Sequence, residues 1–482
     1  MDTFKDVPIE PSTSAYTTTG QEDGPFGDGD TKYDHHDMQR LGKKQEFKDS
    51  SLVGIADHGL CRAPTSGGQY HWVSEFAPPK YQKFLSYAAG WMSTLGWLAS
   101  VASSVFVLTT LVQAIINVTN TDFLFPNWQY TLIMLAFLVV TIFFNTWGAK
   151  ILPMLETVSL FGHILGFIVT LVPLWVMAPK NSATAVFTEV VNNGGWSNIG
   201  TSCLVSQVSV MYCNLGSDSA VHISEEVENA SLNVPRAMWW SYILNVTMGL
   251  VMLVTMLFCI GSLDDALNSN APYLNLFLNT GSEAVALTLM IILLILVFSG
   301  NITALATTSR ELWAFSRDRG FPCSNWISKI NRRTNVPDNS VYLTSIVSGI
   351  LCLINLGSTF AFNIIVSLTL LALLSTYMIS IGCVLRLRLL KQPLPPARWS
   401  LGRFGIPINM FAFAYCGFVM VFSCFPVSVP VDTSTANWAP AVWAGVIALA
   451  LVVYIVHGRK RYTPPVVFVE GHRTVGMGMQ ST

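Results

Sequence analysis

Between Lys83 and Asn117 the chain reads FLSYAAGWMSTLGWLASVASSVFVLTTLVQAII, from Phe84 to Ile116, with no Asp, Glu, Lys, Arg or His. At about 1.5 Å of rise per helical residue, such a run is long enough to cross the ~30 Å hydrocarbon core of a bilayer. Nine further apolar stretches follow, at Tyr130 to Trp147, Ile151 to Met177, Ile199 to Ser224, Ala237 to Ile260, Ala284 to Phe315, Val341 to Leu356, Ile364 to Leu385, Ile408 to Phe425 and Ala439 to Val456. Ten crossings predict an all-α polytopic membrane protein.

The connectors set its orientation. Nineteen Lys and Arg, among them Lys80, Lys83, Arg317, Arg319, Arg459 and Arg461, flank the stretches on one side, whereas the opposite side carries Lys180 alone. By the positive-inside rule the basic side is cytoplasmic, so both termini are expected there, in agreement with an even number of crossings. With 482 residues, 51% hydrophobic, 11% charged and a mean hydropathy of +0.48, the chain lacks the polar surface of a soluble protein of this length.

Residues 1–61 are polar and acidic, the first sixty holding twelve Asp and Glu against six Lys and Arg, and read as a disordered cytoplasmic tail. The transmembrane domain is expected over 62–457, with a C-terminal cytoplasmic tail over 458–482. The nine cysteines form no CxxC pair, and the two histidines of Tyr33-Asp34-His35-His36-Asp37 read as solvated tail residues, so neither a metal nor a cofactor is expected. A net charge of -1 gives no reason to expect a nucleic-acid partner. No HExxH or positioned nucleophile lies in the spans, which argues against an enzyme.

Chemistry concentrates in Tyr212-Cys213-Asn214-Leu215-Gly216-Ser217-Asp218, near the middle of an apolar stretch. Glycine and small polar residues invite a helix break there, and freed backbone N–H groups are tolerated in hydrocarbon only where they line a cavity or meet a ligand. Together with the following half-helix they can bind a substrate carboxylate, while Asp218 is expected chiefly to cap that half-helix. Trp97, with Trp91, Ser100, Ser103 and Ser104, can wall a pocket for a cationic solute or serve in packing. Gly90 and Gly96 fit close helix approach.

Glu156, Ser159 and His163 fall at i, i+3 and i+7, on one helical face, where a carboxylate and an imidazole can relay a proton, or His163 can bond a neighbouring helix while Glu156 is solvated or paired near Lys150. Glu225 and Glu226 end their stretch on the basic side, where they can pair with Arg236, or with Arg317 and Arg319, as a gate, or stand as solvated surface carboxylates.

Four segments carry a family resemblance: Arg62-Ala-Pro-Thr-Ser-Gly-Gly-Gln-Tyr-His71-Trp72-Val73, Leu215 to Glu226, Asn229-Ala-Ser-Leu-Asn-Val-Pro235-Arg236, and Ser309-Arg310-Glu-Leu-Trp-Ala-Phe-Ser-Arg317-Asp318-Arg319-Gly320-Phe-Pro322. In this order they resemble fungal GABA, choline and amino-acid permeases of the amino acid-polyamine-organocation superfamily. The resemblance runs from about Arg62 to Arg461. It implies a LeuT-type fold of two inverted five-helix repeats plus two helices, with solute held between unwound first and sixth helices.

Phe84 to Ile116 then resembles the third family helix and Ile199 to Ser224 the sixth, so the first helix and most of the second are expected to be absent. The function implied is secondary active transport of an amino acid or a related amine such as GABA or choline, coupled to protons, in the plasma membrane. The partners expected are that solute, the proton and the lipid bilayer. The alternative is a truncated, permease-like membrane protein that does not transport.

Overall fold

A computed structural model describes residues 65–465 apart from 268, 270, 358–359, 393, 395–401 and 434. The acidic tail and its histidine pair lie outside the described residues, as does the C-terminal tail beyond 465. A short helix α1 (Gly68–Phe76) leads into the long α2 (Gln82–Asn117). After these come α3 (Asn127–Thr146), α4 (Leu152–Met177), α5 (Ile199–Cys213), the single turn α6 (Ser219–His222) and α7 (Ala230–Cys259). The remainder is α8 (Glu283–Arg317), α9 (Asp338–Cys352), α10 (Ala361–Leu389), α11 (Gly405–Phe422) and α12 (Ala439–Val453).

Among the described residues, nine helices are long and apolar enough to cross a membrane. They match nine of the ten predicted stretches. The tenth, Ile199 to Ser224, is divided between α5 and α6. The chain is therefore a polytopic, all-helical membrane protein.

Why α2 and α10 form the middle follows from their side chains. Both bring small residues at helical spacing, and both pack against each other more extensively than any other pair, with α8 next on α2. The most apolar window of α10 is 72% buried, against 11% for α4 and α7, so these outer helices present side chains such as Val158, Phe161, Leu165 and Leu250 to lipid. In hydrocarbon such exposure carries no penalty, and tight packing rather than apolar burial holds the centre.

Two glycines on α2 permit that packing. A Cβ at Gly90 would sit 2.3 Å from the Phe315 ring, and one at Gly96 2.6 Å from Leu373. Phe315 has no room to yield, being boxed by Tyr70 and Phe321, each at 5.0 Å between ring centres, with Tyr87 and Tyr462 beyond. Gly90→Ala is therefore expected to destabilise the protein by about 1–3 kcal/mol through overpacking, read as a lower unfolding temperature in detergent. An unchanged unfolding temperature would mean that the ring can turn aside.

Candidate functional site

The break in the stretch Ile199 to Ser224 is built by residues that hold a helix poorly. α5 stops at Cys213, Asn214 caps its end, and Gly216 adopts a φ of +93°, which L side chains rarely reach. Turn hydrogen bonds close Leu215 N on Tyr212 O at 3.1 Å and Ser219 N on Gly216 O at 3.0 Å. Between them the backbone N–H groups of Gly216, Ser217 and Asp218 have no acceptor among the described residues. Each such group left bare in hydrocarbon costs on the order of several kcal/mol, so three in a row mark a place that a polar partner would stabilise. Because α6 spans four residues, its dipole is small, and the bare N–H groups themselves supply most of the pull on an anion.

The structure brings the predicted residues of this stretch together with Trp97. The Trp97 ring lies 4.0 Å from where a Cβ on Gly216 would stand, and it meets His222 edge-on at 5.4 Å between ring centres. The Tyr212 hydroxyl is 2.5 Å from Ser103 Oγ, while Tyr212 and Leu215 pack on Val366, Leu370 and Cys416 of α10 and α11. Asn214 turns its amide back on Val210 O at 2.9 Å, and Ser217 is half-buried.

Asp218 differs from expectation. Its side chain makes no capping hydrogen bond to α6; instead Gln69 Nε2 on α1 donates to Asp218 Oδ2, with His222 Nε2 4.0 Å away and Tyr377 of α10 facing it. The reason is competition: α6 is too short to hold the carboxylate on its own amides, and a buried primary amide aimed from α1 satisfies it instead.

The predicted relay face is split. Glu156 is half-buried and its Oε1 accepts from Thr303 of α8 at 2.6 Å, but His163 is exposed and donates its Nδ1 hydrogen to Ser159 O of its own helix at 2.7 Å. At the level of His163, α8 packs on Gly162 and Gly166 through Leu296, which leaves the imidazole at the edge of the contact. Glu156 instead joins Lys150, Glu226, Thr303 and Arg310 around a cavity of about 160 Å³, room for several waters.

The gate candidates divide similarly. Arg317 donates to both oxygens of Glu225 at 2.8 Å, in a pair where the Glu225 side chain is 0% exposed. Arg310 Nε donates to Glu226 Oε1 at 2.9 Å. Arg236 is exposed, and no ion pair to it or to Arg319 exists among the described residues, so Arg310 takes the place expected for them. Beside this region, burial and the Asp318 carboxylate hold the Tyr70 phenol well above its ordinary value, with Tyr70 Oη donating to Asp318 at 2.9 Å.

Sequence reading passed over Gln69, His222, Arg310 and Glu311. A signal was available for the last three: ionisable residues inside or at the end of apolar stretches are costly and rarely placed there without a partner.

Comparison with known proteins gives a consistent result. A family model described as amino acid permease matches residues 59–449. The chain is 31% identical over 414 residues to an amino-acid permease of Schizosaccharomyces pombe, covering 84% of this chain and 76% of that protein. It is 28% identical over 404 residues to the choline transporter of Saccharomyces cerevisiae, covering 83% and 71% of the two chains. An amino-acid permease of Arabidopsis thaliana is 26% identical over 438 residues, covering 86% and 83%.

Proposed function

This chain belongs to the amino acid permease family, and from that premise we propose that it carries an amino acid or a related amine, such as GABA or choline, across the plasma membrane by proton-driven alternating access. It is a membrane transporter and not an enzyme. The reading of its site rests above all on the three bare N–H groups at Gly216, Ser217 and Asp218 beside Trp97. A solute carboxylate would accept from those N–H groups, and an amine would meet the Trp97 face. Both termini lie on the cytoplasmic side in this reading.

Magnitudes favour one ion pair as the gate. Parting Glu225 from Arg317 would strand a fully buried carboxylate, which costs about 3–5 kcal/mol, too much for a step repeated in every cycle. Glu226 has a side chain 26% exposed and borders the cavity that also holds Glu156, so water can take over its charge when Arg310 leaves. Glu226 and Arg310 form the gate, with Glu156 as the proton-accepting neighbour on that cavity; Glu225 and Arg317 form a permanent clasp.

The test is uptake by the purified full chain in liposomes across a panel of radiolabelled amino acids, GABA and choline, with an inward proton gradient. At least one solute is expected to accumulate, and collapse of the gradient is expected to remove the accumulation. No uptake of any member of the panel would overturn the reading.

A further inference from the structure

Two buried carboxylates lie beside the break with no arginine to spare. Glu311 is 0% exposed and Asp218 3%, and they are near enough to feel each other's charge. The two arginines on the same part of α8 are matched elsewhere, Arg310 by Glu226 and Arg317 by Glu225. Among the described residues, the other groups facing the two carboxylates are Gln69 of α1, Ser93 and Thr94 of α2, His222 of α6 and Tyr377 of α10. None of these is a fixed cation. Two ionised carboxylates in such a place are strongly disfavoured, so the site needs a proton or a bound cation to be neutral.

The hydrogen bonding points to a proton. Thr94 has one hydroxyl hydrogen but three acceptors in reach, Gly90 O at 2.9 Å, Glu311 Oε2 at 2.9 Å and Glu311 Oε1 at 3.2 Å. The single hydroxyl hydrogen can serve the Gly90 carbonyl or the Glu311 carboxylate but not both, and a hydrogen on the Glu311 carboxyl completes the contact that it leaves open. His222 gives the same indication. Its Nδ1 lies 2.9 Å from Ser66 O, and since a carbonyl accepts, Nδ1 carries the hydrogen. That leaves Nε2, buried and without a hydrogen-bond partner, with its lone pair towards Asp218 Oδ2 at 4.0 Å, while Asp218 Oδ1 is also without a partner. Lone pair faces lone pair until a proton is added. Among the described residues no three His, Cys, Asp or Glu side chains are placed to hold a metal ion, and here an imidazole nitrogen stands 4.0 Å from the carboxylate.

We propose that Glu311, Asp218 and His222 form an exchangeable proton-binding site, held between α8 and the turn that follows the break. Its role in transport rests on the proton-driven reading above; its titration does not. Asp218 contributes one of the three bare N–H groups, so a proton held in the cluster changes the field at the place where a solute carboxylate would bind. Loading the proton favours loading the anion, and release of one favours release of the other.

The experiment is infrared difference spectroscopy of the full chain in phosphatidylcholine liposomes without solute, with pH stepped between about 5 and about 9. A protonated-carboxyl band that fades as pH rises is expected, together with an imidazole change. Glu311→Gln is expected to remove part of that band and His222→Gln to move its midpoint by at least about one pH unit. Should Glu311→Gln fail to fold, Thr94→Val takes its place and is expected to shift the frequency of the same band. A carboxyl band unaltered by these variants, or one displaced by sodium at fixed pH, would overturn the proposal. Titration without uptake of any solute would overturn the transport reading and leave the proton site standing. Uptake with unaltered pH dependence in Glu311→Gln would overturn the role of this site in coupling and leave transport itself standing.

Discussion

Gly216→Leu is expected to abolish solute uptake while leaving the amount of protein in the membrane unchanged. At a φ of +93° a Cβ is strained, which costs roughly 1–2 kcal/mol, and leucine relieves this by pulling the segment back towards helix. A restored helix would bond the N–H groups of 216–218 four residues back and remove them from the solute. The branched side chain would also meet Trp97, whose ring already lies 4.0 Å from the Cβ position. Insertion depends on the apolar content of α5 and the flanking spans, which this change does not lower. Radiolabelled uptake normalised to the immunodetected membrane protein checks both halves, and undiminished uptake would remove the break from the binding site.

The second large effect is expected at the clasp. Removing either partner by Glu225→Ala or Arg317→Ala leaves an uncompensated charge in a buried place, and a loss of about 3–5 kcal/mol follows. The loss is broad in reach, because Glu225 Oε1 also accepts from Ser66 N at 3.2 Å and Arg317 stacks on Trp313 at 4.4 Å from its ring centre. The clasp thereby fastens the turn after α6 to the end of α8 and to the segment before α1. Thermal unfolding in detergent is expected to fall sharply for either variant and to fall less for Glu226→Ala, because water reaches the carboxylate and the cavity that Arg310, itself 4% exposed, also lines. Equal losses at 225 and 226 would contradict the division between clasp and gate.

Much of this fold was legible because hydrocarbon leaves the chain few choices. A run such as Phe84 to Ile116 has no stable alternative to a spanning helix, and α2 occupies Gln82–Asn117 with little change at either end. The break was legible for the same reason, since Asn214 and Gly216 are conspicuous amid apolar neighbours. What the sequence did not disclose were contacts between elements far apart in the chain. Gln69 and Asp218 are 149 positions apart, and only the packing of α1 on the turn after α5 shows that an amide takes the carboxylate away from the cap.

His163 teaches the complementary lesson. Its spacing from Glu156 was correct for one helical face, yet spacing says nothing of where the neighbouring helix ends its contact. α8 reaches Glu156 through Thr303 and leaves His163 outside. Nothing in the sequence singles out Arg310 over Arg317 and Arg319 as the partner of Glu226, since all three belong to the basic-side flanks. Side chains projecting across the helix axis settle such pairings, and linear order does not.

The most direct measurement compares the wild-type chain and Gly216→Leu in the same liposome preparation, matched for incorporated protein, following accumulation of the best solute of the panel under an inward proton gradient. The wild type is expected to concentrate the solute and the variant to show no more than leakage through empty liposomes. Equal accumulation by the two would mean that the solute does not depend on the bare N–H groups of residues 216–218.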